Sequence, residues 1–226
     1  MEKKDIHVLM VDDHKMTLVG YSAALQQMSE EVGSYTFTVH HATSFDMALQ
    51  TLNHTYRNQP LHLVFLDIQL PKGLDLKYQT GEDLGIDIRK RFPDTKILVI
   101  TTFNNNLLIQ NVLESINPEG LLIKGDLTPD TFSQAILEVL DDPPYFSKTV
   151  TKYLRKQHIH PYHLDRLDRL ILYYISDGKL TKNLPLYVPL SLPGIEKRKK
   201  RLKEIFIVED GNDFDLVRRA KEEGFL

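Results

Sequence analysis

The 226-residue sequence predicts an α/β domain with a doubly wound, five-stranded parallel sheet, followed by a second, smaller all-α domain. Three observations carry that expectation. Before residue 141, short apolar runs alternate five times with helix-like segments. Three of the runs, Val8-Leu9-Met10-Val11, Leu63-Val64-Phe65-Leu66 and Ile97-Leu98-Val99-Ile100, are continuous rather than alternating, as strands covered on both faces are. Formal charge also changes sign along the chain. Residues 1–141 hold 11 Lys/Arg and 19 Asp/Glu, net −8, whereas residues 142–226 hold 17 and 12, net +5, so the halves suit different tasks and the second suits a polyanion.

The elements follow in order. Strands are expected over 6–11, 35–39, 61–66, 96–100 and 121–123, with helices over 17–31, 44–57, 81–91, 105–116 and 128–140. Ser44, followed by Met47, and Thr128, followed by Pro129 and Asp130, are helix-start signals. The first domain spans 1–141 and ends near Asp141-Asp142-Pro143-Pro144, because a proline pair stops a helix and favours extended chain. Residues 142–162 read as a linker with a short helix over 150–157. The second domain, 163–226, opens with a helix over 163–176 whose Leu164, Leu167, Leu170, Ile171, Tyr174 and Ile175 have helical spacing and which ends at Asp177-Gly178. Helices over 191–206 and 214–223 complete it, the last closed by Gly224.

Composition excludes several classes. With 42% hydrophobic and 26% charged residues the chain is globular rather than disordered. The absence of cysteine rules out disulfides, zinc–thiolate sites and thiol catalysis. No apolar run approaches the ~18 residues of a membrane span. Met1-Glu2-Lys3-Lys4-Asp5 leads straight into a short apolar stretch, without the longer core of a signal peptide, so a cytoplasmic protein is expected. His158, His160 and His163 read as linker surface, since no acid or cysteine cluster accompanies them as a metal site requires.

Chemistry in open α/β sheets collects outside the carboxyl ends of the strands. Here the first strand ends in Asp12-Asp13, the third in Asp67, the fourth in Thr101-Thr102 and the fifth in Lys124. Three carboxylates gathered in one crevice repel, by roughly 4 kcal/mol for a pair at 4 Å near a surface. A hard divalent cation such as Mg²⁺ removes that repulsion, taking carboxylate and carbonyl oxygens while keeping several waters. A carboxylate held this way can attack phosphorus, and a hydroxyl and an ammonium can bind the transferred oxygens.

Val8-Leu9-Met10-Val11-Asp12-Asp13-His14, Asp67-Ile68-Gln69-Leu70-Pro71, Ile100-Thr101-Thr102 and Ile123-Lys124 resemble, in this order, the motifs of a response-regulator receiver domain, which is flavodoxin-like, and in particular of the NarL/LuxR-type branch. The resemblance covers about residues 5–141. It implies that Asp67 accepts a phosphoryl group from a sensor histidine kinase. It further implies that Asp13, Asp67 and the backbone carbonyl of Gln69 bind Mg²⁺, with Asp12 assisting through water, and that Thr101 and Lys124 hold the phosphoryl group. Such a domain catalyses only its own aspartyl phosphorylation and dephosphorylation. Three features depart from the family. Gly125 follows the lysine where proline is frequent. Leu121 stands where a Tyr or Phe often turns inward. The loop over 72–81 exceeds the usual spacing by about six residues, either shaping kinase recognition or simply tolerated at the surface.

The segment Ser191-Leu192-Pro193-Gly194-Ile195-Glu196-Lys197-Arg198-Lys199-Lys200-Arg201-Leu202-Lys203-Glu204-Ile205-Phe206 places Ile195, Leu202 and Phe206 on one inward face and its basic residues elsewhere. It resembles the recognition helix of the helix-turn-helix output domain of the same regulators. That resemblance places Glu196, Lys197 and Lys200 at base edges of double-stranded DNA, and Arg198, Lys199, Arg201 and Lys203 at phosphates. Glu196 is unusual there: it either accepts from a cytosine amino group or marks drifted binding. The supporting helix should fall near 181–187, where Pro185 and Pro189 break a helix interior at about 3 kcal/mol each, so a short or irregular helix is expected, with Pro185 at its start. Asp215–Leu226, with Leu216-Val217 and Ala220, resembles the terminal helix that often dimerises. The leading expectation is a two-component transcriptional regulator, a homodimer when phosphorylated and independent of membranes. The alternatives are a phosphorylation-controlled adaptor whose second domain binds protein, and a Mg²⁺-dependent phosphohydrolase.

Overall fold

A computed structural model describes the chain apart from residues 1–2, 72–79, 103–105, 157–163, 209–210 and 224. Part of the 72–81 loop, the three linker histidines and Gly224 therefore lie outside the described residues. The chain divides into two compact units, Met1–Thr102 with Ile116–Thr151, and Phe103–Ser115 with Lys152–Leu226.

The first unit is built on a parallel sheet in the order β2-β1-β3-β4-β5-β6. Its strands are β1 (Lys4–Val11), β2 (Tyr35–Ala42), β3 (Leu63–Leu66), β4 (Lys96–Thr101), β5 (Gly120–Ile123) and β6 (Tyr145–Phe146). Its helices are α1 (Lys15–Glu31), α2 (Phe45–His54), α3 (Gly81–Arg91) and α5 (Pro129–Asp141). The doubly wound expectation holds, and the continuous apolar runs are buried along their whole length. Ile6, Val8, Met10, Phe65, Leu98, Ile100 and Leu122 join Leu18, Leu25 and Met28 of α1 and Phe132, Ala135, Ile136 and Val139 of α5 in one core layer. Their neighbours Leu9, Val64, Leu66, Val99 and Leu121 are equally buried, so neither sheet face could carry polar residues. Ser44 Oγ accepts from the Met47 N–H at 3.2 Å, and Thr128 Oγ1 from the Thr131 N–H at 3.2 Å, as their helix-start signals predict.

A sixth strand replaces the expected start of the linker. After Pro143-Pro144 the chain stays extended, and the Tyr145 N–H donates to the Glu119 carbonyl at 2.9 Å and the Ser147 N–H to the Leu121 carbonyl at 3.1 Å. The pairing satisfies the outer edge of β5, which would otherwise be an open row of donors and acceptors.

The second unit holds α4 (Asn106–Ser115), α7 (Arg166–Ser176), α8 (Leu192–Ile205) and α9 (Asp213–Glu222), while α6 (Lys148–Lys156) crosses the division between the units. Leu107 and Leu108 of α4 share a core with Leu170, Ile171 and Leu172 of α7, Ile195 and Leu202 of α8, and Leu216 and Ala220 of α9. Gly178 adopts φ +78°, and the paired bonds Gly178 N–H to Ile175 and Lys179 N–H to Tyr174 end α7 as Asp177-Gly178 predicts. The supporting helix is a 3₁₀ turn over Thr181–Leu186 with Pro185 inside it rather than at its start. The 3₁₀ pattern accommodates the proline while Leu184 remains fully buried. Among the described residues no helix is long and apolar enough to cross a membrane.

Candidate functional site

Strand register builds the first site. Val11 pairs with Leu66, so β1 and β3 are level at their carboxyl ends and Asp12 and Asp67 each follow immediately, while β4, whose Val99 pairs with Leu66, runs two residues further to Thr101. Thr101 pairs with Ile123, the residue before Lys124. From the far side of the sheet, Lys124 Nζ donates to Asp12 Oδ2 at 2.7 Å and to Asp67 Oδ2 at 2.6 Å. The remaining oxygens are held by backbone: Asp12 Oδ1 accepts the His14 N–H at 2.9 Å and Asp67 Oδ1 the Gln69 N–H at 2.8 Å. Asp13 Oδ1 lies 2.7 Å from His14 Nδ1, and Asp12, Asp13 and His14 can offer ligand atoms within 4.8 Å of one another. Thr101 is buried at the end of β4, and the Thr102 hydroxyl donates to the Gln69 side-chain oxygen. Gly81 completes the floor. A Cβ there would stand 2.2 Å from the Asp67 carbonyl oxygen and 2.7 Å from Ile68 Cα, so the α3 start reaches the Asp67 backbone only because residue 81 has no side chain.

The second site is α8. Ile195, Leu202 and Phe206 are buried as predicted. Glu196, Lys197, Lys200 and Arg201 are exposed, whereas Arg198, Lys199 and Lys203 are half-buried and turned toward their own unit. Arg198 donates to Asp165 at 2.6 Å and to the fully buried Asp168 at 2.8 Å. Lys199 reaches Asp213 at 2.8 Å and the Thr181 hydroxyl at 2.7 Å, and Lys203 donates to the Gly211 carbonyl at 2.5 Å. Those three cations brace α8 against α7, the 3₁₀ turn and the start of α9.

No family model matches the sequence. The transcriptional regulatory protein RcsB of Escherichia coli K12 is 23% identical over 199 residues, covering 87% of this chain and 86% of that protein, and RcsB of Salmonella typhimurium LT2 aligns equally well. RcsB of Salmonella enterica serovar Typhimurium, solved on the rprA promoter with the phosphomimetic BeF3⁻, superposes with a TM-score of 0.68 at 22% identity, covering 96% of this chain and 99% of that one. The isolated receiver domain of that RcsB, also with BeF3⁻, covers 66% of this chain and 99% of its own with a TM-score of 0.55. The chain shares the two-part architecture of RcsB. The motif resemblance thus extends to the whole fold.

In the first unit, electrostatics follow from crowding. Burial pushes the Asp67 carboxyl above its ordinary range and the Asp12 charge adds to the effect, while Lys124 and the Gln69 N–H oppose it. Burial works to lower Lys124, but its bonds to Asp12 and Asp67 prevail and hold it above the usual lysine value. Three carboxylates against one ammonium leave a formal deficit of two charges, and every acidic donor is a hard oxygen. That set fits one Mg²⁺. Sequence reasoning gave Tyr21 no role. It stacks on Phe132 at 4.8 Å, behind the acids, and burial pushes its hydroxyl up to about 12. Only its tertiary position reveals it.

In the second unit, the sequence reading gave seven positions of α8, Glu196, Lys197, Arg198, Lys199, Lys200, Arg201 and Lys203, as DNA contacts. The fold exposes four of them, of which Arg201 also reaches Asp168 at 3.4 Å, and turns the other three, half-buried, to internal partners.

Proposed function

We propose that this response regulator accepts a phosphoryl group on Asp67 from a sensor histidine kinase and regulates transcription through DNA binding by α8. The bridge from Lys124 to both Asp12 and Asp67 carries the reading, because it joins the ends of three strands around one acceptor oxygen. An Asp67 oxygen attacks the phosphorus of a phosphohistidine. The new O–P bond forms as the N–P bond breaks, and the imidazole nitrogen leaves with its electron pair. Lys124 and Thr101 then hold the phosphoryl oxygens. Asp12, Asp13, Asp67 and the Gln69 carbonyl would hold Mg²⁺, which when bound supplies positive charge against the gathered oxygens. The chain catalyses only its own aspartyl phosphorylation and dephosphorylation.

RcsB has been solved bound to DNA and as two dimers on two parallel DNAs. By likeness, the partner of this output domain is double-stranded DNA, and the phosphorylated chain is a homodimer. A cytoplasmic location suits this role. The experiment is a titration of duplex DNA with and without acetyl phosphate and Mg²⁺ at several salt concentrations. Binding should tighten on phosphorylation and weaken steeply with salt, since phosphates are being neutralised. Absence of duplex binding in either state, with a protein partner captured instead, would select the adaptor reading.

A further inference from the structure

The outward face of α8 carries two residues that repel phosphate, Glu196 near its start and Glu204 near its end. Pro193, Glu196, Lys197, Lys200, Arg201 and Glu204 are all exposed and fall at the 3, 4, 7, 8 and 11 spacings of a single helical stripe. The opposite face is fixed in the core by Ile195 and Leu202, each fully buried, and the flanks are fixed by Arg198, Lys199 and Lys203. Rotation of the helix to hide Glu196 would break all of these contacts together. Glu196 lies near the helix start, the end that meets base edges when such a helix enters the major groove. Glu196 and Lys200 stand four apart, yet among the described residues neither side chain has a hydrogen-bonding or ion-pairing partner, so no described side chain neutralises the carboxylate.

We infer that Glu196 is a specificity residue that selects cytosine, an inference that rests on the proposed DNA binding by α8. A carboxylate only accepts hydrogen bonds. In the major groove guanine offers N7 and O6 and thymine offers O4, all acceptors that repel it. Adenine offers an amino group beside its own acceptor N7, whereas cytosine offers its N4 amino group with no acceptor on its own major-groove edge. Phosphate repels it as well. A Glu fixed at this point of the stripe therefore excludes more sequences than it admits, and the order of preference is cytosine, then adenine, then guanine and thymine.

The test selects duplexes from a random pool with the full-length protein, phosphorylated by acetyl phosphate and Mg²⁺, as wild type, Glu196→Ala and Glu196→Gln. Wild type should enrich a C·G pair at one position, and replacing that cytosine by thymine should weaken binding about tenfold. Glu196→Ala should keep the remaining consensus and lose preference at that position alone. Glu196→Gln should shift it toward adenine, to which Gln can donate and accept. An unchanged consensus in both variants overturns the assignment while leaving DNA binding intact. If Glu196→Ala binds no duplex, Glu196→Gln decides: a shift toward adenine supports the assignment and retained cytosine overturns it. A wild type that binds no duplex overturns the assignment together with the function it rests on.

Discussion

Lys124 Nζ lies 2.6 Å from Asp67 Oδ2, so the residue assigned to take up phosphate is already held by the cation assigned to stabilise the product. Burial nevertheless lifts the Asp67 carboxyl. An acid whose folded pKa exceeds its unfolded value favours the fold while protonated, and that contribution is lost as pH rises through the folded value. At neutral pH the Asp67 charge is therefore a burden on the fold. Asp67→Asn, which leaves Lys124 its bond to Asp12, should raise the urea midpoint at pH 7. The gain should shrink as pH falls into the carboxylate range. A lowered midpoint at pH 7 with unchanged slope contradicts this.

Gly81 and Gly20 make a paired test. At Gly81 a Cβ would meet Asp67 and Ile68 backbone at 2.2 and 2.7 Å, and backbone cannot step aside. Gly81→Ala should cost about 1–3 kcal/mol or more and slow uptake of phosphate. At Gly20, inside α1, nothing lies within 4 Å, so Gly20→Ala should stabilise by about 0.5–1 kcal/mol. Thermal melts of both variants check the pair.

Arg169 is 1% exposed and its Nε donates to Asn111 Oδ1 at 2.5 Å, while its other nitrogens reach Glu114 and the Leu164 carbonyl. It fastens α7 to α4 inside the second unit. Arg169→Ala leaves those acceptors without their donor and should cost about 3–5 kcal/mol. Urea unfolding of the full chain followed by circular dichroism should show the loss.

Asp165 and Asp168 anchor α8 through Arg198. Burial works to raise Asp165, but Arg198 and the N–H groups of the first turn of α7 outweigh it and hold the carboxyl below its ordinary value. Stability from a depressed acid is present above its unfolded value and lost as pH falls through its folded value. Acid titration should therefore loosen α8 only below the ordinary carboxylate range. Asp168→Asn should release it already at neutral pH, read as faster amide exchange along α8.

The parallel sheet was legible because burial on both faces forces unbroken apolar runs, and the pocket because the carboxyl ends of parallel strands share one edge of the sheet. Other features depend on distant partners. Arg198, Lys199 and Lys203 read as a cationic surface until the fold brings Asp165, Asp168, Asp213 and the Gly211 carbonyl beside them. Periodicity marks α4 as amphipathic, but Leu107 and Leu108 carry no sign of which core they enter. The strand Tyr145–Phe146 is too short for any period to show.

Intact-mass spectrometry after incubation with acetyl phosphate and Mg²⁺ tests the central assignment most directly. The wild type should gain one phosphoryl group that hydroxylamine removes, as an acyl phosphate does, and Asp67→Asn should gain none. Equal labelling of the two proteins, or a wild type that stays unlabelled, contradicts the assignment of Asp67 as the acceptor.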